Sequence, residues 1–348
     1  VTRFYYRCFY GDSDFSPRQS TCVAVSSDGV HFHRPELSLF PTPLKGGGFS
    51  NSTNNIVHTG IDAHNFFPFL DPRPGVPRTQ RFKAVAGFNP VFAPEFTASF
   101  QAEINDRFDI SPDFKWGMNV YHSKDGLRWL RSHPTPVFNA TQLDSLQTVS
   151  YDPQLQKYVL HGRAWSPAEG GNAEDLFRKR TIFRATSDDF IHWSEHELLR
   201  FVPPFPANHH LYTNAITPLP GIPGAFVGFP KRFVKNRKKV ASHKKSGASD
   251  TILIATKNAA AAAAAGAAAG APGGAASAAW RQFVVSWVRP GREKPNWTQR
   301  SNMMSPGIRV EPREWSLYIS AHYMWESSHI QRVTMRPYGF SSMHAGAE

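Results

Sequence analysis

A short turn pattern recurs along this chain and constrains its fold more than any other feature. Three intact copies have the form Ser-x-Asp-x-x-x-aromatic and begin at Ser26, Ser123 and Ser187, while altered copies occupy 256–258 and 334–340. Asp-Gly between two strand-like runs is a strong hairpin signal, because Gly accepts a positive φ and Asp hydrogen-bonds the turn backbone. Repeated units that cannot bury their own faces alone indicate an array of packed sheets.

Apolar and aromatic runs precede each copy, which predicts a repeated four-stranded unit. The second strand of each unit is predicted at 3–9, 81–87, 157–163, 225–229 and 315–321, and a first strand at 65–70, 146–151, 214–219 and 302–310. Four-stranded units arranged around an axis are propeller blades. The sequence therefore predicts an all-β fold, a five-bladed β-propeller over 1–340 with blade 1 incomplete at the N-terminus. A β-sandwich is the alternative, but it leaves the shared turn unexplained.

Two segments are predicted to lie outside the regular blades. The tract 259–279 is almost entirely Ala and Gly, and it replaces the last turn of blade 4 as a surface insertion without chemistry. Residues 341–348 are predicted to begin a further C-terminal segment. No apolar run reaches the ~20 residues of a membrane span, so no membrane span is predicted.

The cysteines and the N-glycosylation sequons give information on the cellular compartment in which the protein folds. Cys8 and Cys22 lie on neighbouring predicted strands, where a disulfide and two free thiols are both compatible with the sequence. Asn51, Asn139 and Asn296 each begin an Asn-x-Thr sequon. These features favour a secreted or extracytoplasmic protein.

The net charge of +12 is concentrated in a basic segment at 231–245. A solvated loop, a contact for an anionic glycan and a nucleic-acid surface are the three interpretations. Nucleic acid is the least favoured, because the chain contains no recognised nucleic-acid-binding module. No nucleic-acid partner is predicted.

Strand geometry selects the candidate site. In an antiparallel blade, the start of the first strand and the end of the second lie at the same edge, so polar residues there converge on one opening. The binding candidates at these positions are Arg7, His64, Asn65, Arg163, Trp165, His209, Tyr212, Asn214, Lys231, Arg232, Asn302 and His322. Arg and Lys suit carboxylate or sulfate groups, and Asn, His and Tyr suit sugar hydroxyls.

Glycoside cleavage requires two carboxyl groups flanking the scissile bond. Asp144 is the first catalytic candidate and Asp62 the second. Asp28, Asp125 and Asp189 are assigned to turns and not to catalysis. No metal ion or other cofactor is predicted.

Several motifs resemble the five-bladed propeller superfamily of glycoside hydrolase families 32 and 43, and in particular its uncharacterised bacterial members. They are Tyr5-Tyr6-Arg7 and the segments 64–72, 211–216, 228–233 and 297–303. The resemblance implies a central funnel, glycan substrates and a β-sandwich after the propeller. It implies a catalytic Asp at the position of Asp144 and a general-acid Glu beside 211–214, where this chain has His209 and His210.

Three functions follow as hypotheses. The first is a glycoside hydrolase acting on a poly- or oligosaccharide, anionic ones included. The second is a non-catalytic glycan-binding propeller that lacks the general acid. The third is a scaffold whose basic segment holds an acidic partner.

Overall fold

The computed structural model describes residues 1–8, 19–44, 48–89, 115–141, 143–166, 179–206, 209–234, 237, 248–257, 279–298, 300–323 and 325–340. The tract 259–278, most of the basic segment and the predicted C-terminal segment 341–348 lie outside these residues. In the described part, no helix is long and apolar enough to span a membrane.

The described residues form consecutive antiparallel sheets, numbered here in chain order. Sheet 1 contains β1 (Thr2–Cys8), β2 (Ser20–Ser26) and β5 (Ile56–Thr59), with β3 (Thr42–Pro43) and β4 (Phe49–Ser50) as a separate hairpin. Sheet 2 contains β6 (Phe67–Leu70), β7 (Phe82–Phe88), β8 (Gly117–Ser123) and β9 (Leu130–Arg131). Sheet 3 contains β10 (Thr148–Asp152), β11 (Lys157–Trp165), β12 (Arg180–Ser187) and β13 (Glu197–Leu198).

Two further sheets follow. Sheet 4 contains β14 (His209–Leu211), β15 (Thr217–Pro218), β16 (Phe226–Gly228), β17 (Lys231–Val234), β18 (Ala248–Thr256) and β19 (Arg281–Val288). Sheet 5 contains β20 (Met303–Met304), β21 (Arg309–Val310), β22 (Trp315–Ala321) and β23 (His329–Met335). The helices are short 3-10 turns at Ile61–Asn65, Arg78–Gln80 and Lys294–Asn296.

The chain is an all-β propeller, as predicted, but the described residues form four blades rather than five. Sheets 2 to 5 each have at least four strands. Sheet 1 has three strands among the described residues, in the order β1, β2 and β5. The predicted number of blades is therefore wrong for the described residues.

The predicted second strands form well, whereas some first strands are shorter than predicted. β22 matches its predicted range, and β11 extends two residues beyond it. The run 302–310 divides into β20 and β21, and it begins at Asn302 in the left-handed region, with φ 61°. Asn65 lies in a 3-10 helix and not in β6.

The repeated turn has the same hydrogen bonds in its three intact copies. The Ser hydroxyl donates to the Asp carboxylate, over 2.9 Å at Asp28, 3.0 Å at Asp125 and 3.1 Å at Asp189. The same carboxylate oxygen accepts two backbone N–H groups that follow it. Phe190 has φ 73° where the other copies have Gly, so the side-chain bonds fix this turn even without glycine.

The chain divides into two compact units. Unit 1 comprises Val1–Trp165 and Ile182–Leu198, and unit 2 comprises Ser166–Thr181 and Leu199–Glu348. In unit 1, sheets 2 and 3 share a core that includes Met118, Leu160 and Phe183. In unit 2, Phe340 packs against Phe229, Trp287 and Trp315.

Cys8 and Cys22 form a disulfide between β1 and β2, with 5.9 Å between their Cα atoms. This decides between the two alternatives that the sequence left open. The bond links the first two strands of sheet 1. Both cysteines lie in a small buried hydrophobic cluster with Ile56.

Candidate functional site

In unit 1, four of the residues predicted to line the site form a chain of contacts. Arg7 donates to the carbonyl of His64, and His64 Nε2 lies 3.6 Å from a carboxylate oxygen of Asp144. Arg163 donates to the other carboxylate oxygen. The cluster thus brings together residues from four places: the end of β1, the helix before β6, the loop before β10 and the end of β11.

The local chain holds Asp144 in this position. The backbone N–H of Ser145 donates to its carboxylate over 2.6 Å, and the hydroxyl of Ser145 does so over 3.1 Å. β10 pairs with β11 so that Thr148 faces His161. Arg163, two residues further along β11, therefore reaches the loop that precedes β10.

Electrostatics make Asp144 a permanent anion at neutral pH. Burial opposes its ionisation, but attraction to Arg163 and the contacts with His64 and Ser145 outweigh this and hold the pKa well below its usual value. An ionised carboxylate can accept hydrogen bonds from a ligand or act as a base or nucleophile. It cannot donate the proton that a glycosidic leaving group requires.

Asp62 belongs to a different cluster. One of its oxygens lies 2.9 Å from His58 Nε2, and the other accepts hydrogen bonds from Asn119, over 3.3 Å, and from the Tyr121 hydroxyl. Its partners are on β5 and β8, whereas those of Asp144 are Arg163 on β11, His64 in the helix Ile61–Asn65 and the adjacent Ser145. The described contacts do not join the two carboxylates as a catalytic pair.

The Asp62 carboxylate is also ionised. Burial raises its pKa, but the charge of His58 and hydrogen bonds from His58, Tyr121 and Asn119 lower it by more. Phe66 stacks on His58 at a ring distance of 4.5 Å. This packing fixes the imidazole against the carboxylate, so the cluster links β5 to β8.

The remaining candidates in unit 1 have mixed positions. The side-chain amide of Asn65 donates to the carbonyl of Gly87 over 3.2 Å, so this amide stabilises the fold. Trp165 is the last residue of β11 and is half-buried. His64 is buried and lies 2.9 Å from the side-chain oxygen of Gln19.

A second group of candidates lies in unit 2, on sheet 4. Lys231 is fully buried, and its ammonium lies 3.9 Å from the centre of the Tyr212 ring. Arg180 approaches the same ring at 5.3 Å. Arg232 makes a bidentate ion pair with Asp250, at 2.9 and 2.6 Å. Lys231 and Arg232 are therefore buried strand residues and not part of a solvated basic loop.

His209 lies beside these cations. Burial is the main cause of its lowered pKa, and Arg232, Lys179 and Arg237 lower it further against the opposing effect of Asp250. A neutral imidazole follows at neutral pH. It is a poor substitute for the general-acid Glu that the sequence resemblance implies beside 211–214.

Asn214, Asn302 and His322 serve the fold in the contacts described. Asn214 accepts the backbone N–H of Ile216 over 3.0 Å. Asn302 donates to the carbonyls of Ser249 and Asn296, both over 3.1 Å. His322 Nε2 lies 2.7 Å from a carboxylate oxygen of Glu293.

The sequence did not predict the side chains that pair with these carboxylates and set their charge and orientation. His58, Asn119 and Tyr121 surround Asp62, and Asp250 neutralises Arg232. Asp250 lies in β18, just before the apolar residues of that strand. An acidic residue at this place could have been recognised in the sequence as a partner for the basic strand β17. Among the described residues, no group of three or more His, Cys, Asp or Glu side chains could hold a metal ion.

Acid is expected to destabilise the fold through these carboxylates. The pKa values of Asp62 and Asp144 lie below their usual value, and that of Asp125 falls to about 2, because hydrogen bonds to Asp125 outweigh its burial. Their stabilisation is therefore fully present above the unfolded-state pKa of about 3.9 and is lost as the pH falls through each folded-state value. Urea unfolding at pH 5 and pH 3 measures the loss.

Asp144→Asn provides the control for this pH dependence. The variant no longer titrates at this position, so its free energy of unfolding is expected to change less between pH 5 and pH 3. A variant with the same pH slope as the unchanged chain would contradict the assignment.

Comparison with known proteins gives similarity to solved structures only. No family model matches the chain, and no curated protein matches it. A structure described as a glycoside hydrolase is 10% identical, with a TM-score of 0.48, over 98% of this chain and 90% of its own. The GH32 β-fructofuranosidase of Bombyx mori is 11% identical, with a TM-score of 0.49, over 94% of this chain and 53% of its own.

The GH93 α-L-arabinofuranosidase of Fusarium graminearum, in complex with arabinobiose, is 10% identical, with a TM-score of 0.42, over 91% of this chain and 85% of its own. Because the identities are near 10% and the TM-scores are below 0.5, no residue role or substrate is carried over.

Proposed function

We propose that the protein binds a glycan at the unit 1 cluster of Arg7, His64, Asp144 and Arg163, without using Asp62 or Asp144 as a general acid. The observation that carries the proposal is the contact chain that joins these four residues from separate elements. The two guanidinium groups and the fixed carboxylate of this cluster are groups that hydrogen-bond sugar hydroxyls, and the guanidinium groups also suit a uronic-acid or sulfate group.

The electrostatics favour binding over hydrolysis. Five of the described carboxyl groups have a lowered pKa: Asp28, Asp62, Asp125, Asp144 and Asp189. A glycosidase general acid instead requires a raised pKa. Among the described residues, these groups therefore supply acceptors and negative charge but no proton donor.

Hydrolysis is the second candidate, and one observation favours it. The carboxylate of Asp144 is ionised and oriented by Arg163 and Ser145, which is the state that a nucleophile or general base requires. In this case the proton donor is a group other than Asp62 and Asp144.

One experiment separates the two candidates. The full chain is incubated with neutral, uronic-acid-containing and sulfated oligosaccharides; binding is measured by calorimetry and products by chromatography. Binding without products is the expected result. Products that disappear in Asp144→Asn would establish the hydrolase instead, and no binding to any of the panel would contradict both candidates.

A further inference from the structure

The three sequons of this chain differ in their surroundings, although each has Thr at its third position. Attachment of a glycan to Asn requires an amide nitrogen that is open to solvent and room for a bulky sugar. The structure divides the three sequons on that criterion, independently of the glycan-binding proposal above.

The sequon at Asn51 is open along its whole length. Asn51, Ser52 and Thr53 are all exposed, directly after the short strand β4. Asn54, the next residue, anchors the segment by donating to the carbonyl of Phe40 over 2.8 Å. The acceptor side chain is thus presented on a segment that is fixed by the residue behind it.

The sequon at Asn139 is also open at its acceptor. Asn139 and Ala140 are exposed, while Thr141 is buried. Asn89 donates to the backbone carbonyls of Asn139 and Thr141, over 3.2 and 3.3 Å. These bonds hold the backbone and leave the Asn139 side chain on the surface.

The sequon at Asn296 is closed. Asn296 is 7% exposed and Thr298 is fully buried. The Asn296 side-chain oxygen accepts a hydrogen bond from the backbone N–H of His322 over 3.2 Å. The backbone carbonyl of Asn296 accepts a hydrogen bond from the Asn302 side-chain amide over 3.1 Å. A sugar on this amide would have to displace the packing around β22.

We propose that Asn51 and Asn139 are N-glycosylation sites and that Asn296 stays unmodified in the folded protein. The Cys8–Cys22 disulfide provides independent support, because disulfides form in the oxidising compartments where this modification takes place. In the reaction, the Nδ2 atom of Asn bonds to the anomeric carbon of a lipid-diphosphate-linked oligosaccharide. The bond from that carbon to the diphosphate oxygen breaks, the lipid diphosphate leaves with the electron pair, and Nδ2 loses a proton.

The test uses the full chain secreted from a eukaryotic cell behind a cleavable signal. Peptide mapping of the folded, secreted fraction is expected to find glycan at Asn51 and Asn139 and bare Asn at 296. Thr53→Val is expected to remove the glycan at Asn51 only, and Thr141→Val that at Asn139 only. Ser52→Ala keeps the sequon and serves as the matched control.

The outcomes decide the proposal whatever the protein binds. Glycan at Asn296 in the folded fraction, or a bare Asn51 or Asn139, would overturn it. Neither result affects the unit 1 cluster, so failure here and failure of the proposed function are distinguishable.

Discussion

Asp71→Ala is expected to lower the free energy of unfolding by about 3–5 kcal/mol. Asp71 is fully buried and lies 3.0 Å from the ammonium of Lys83, which is itself buried. The Tyr158 hydroxyl of sheet 3 donates to the same carboxylate over 2.6 Å. Removal of the carboxylate leaves a buried ammonium and a buried hydroxyl without this partner, which costs more than the ion pair contributes.

A neighbouring ion pair provides the control. Asp188, which is largely exposed, pairs with Lys157 at 2.9 Å. Asp188→Ala should change the free energy of unfolding by about 0–1 kcal/mol, because solvent screens an exposed pair. Urea unfolding of both variants measures the difference, and equal losses would contradict the role given to Asp71.

The second large effect is expected in unit 2. Asp250→Ala removes both carboxylate oxygens that hold the buried Arg232 guanidinium, at 2.9 and 2.6 Å. The side chains of Arg232 and Asp250 are each only 6% exposed. The expected loss is again about 3–5 kcal/mol, because Arg232 becomes a buried charge without its bidentate partner.

The matched control here is Glu311, which pairs with Arg309 at 2.7 Å but is 46% exposed. Glu311→Ala should cost about 0–1 kcal/mol. The double variant Arg232→Met, Asp250→Leu removes both charges and should recover much of the loss of Asp250→Ala. A double variant as unstable as the single one would show that the ion pair is not the cause.

Local signals in the sequence were enough to predict the repeated sheets. The Ser26, Ser123 and Ser187 turns recur because their bonds form between residues a few positions apart. β22 could likewise be placed from its apolar run alone. The number of blades could not be predicted in this way, because it depends on how many strands pair in each sheet.

The candidate site was predictable only in part. The meeting of Asp144 and Arg163 follows from antiparallel pairing, which the sequence already implied. The orientation of the Asp62 carboxylate depends on His58, Asn119 and Tyr121, which lie outside the strand ends where site residues were predicted. Side-chain partners between elements are set by three-dimensional packing, which residue spacing does not encode.

We propose that a glycan binds at the Arg163 end of the unit 1 cluster. Arg184 is the matched control, since it lies on the adjacent strand β12 and pairs with Glu197 at 2.7 Å. Arg163→Lys keeps a cation if Arg163→Met fails to fold.

The deciding measurement is calorimetric binding of the full-chain variants to the oligosaccharide panel. We predict that Arg163→Met, or Arg163→Lys in its place, weakens binding about tenfold or more, because it loses charge-assisted hydrogen bonds to the ligand. Arg184→Met is predicted to bind as the unchanged chain does. Folded Arg163 variants with unchanged affinity would contradict the account.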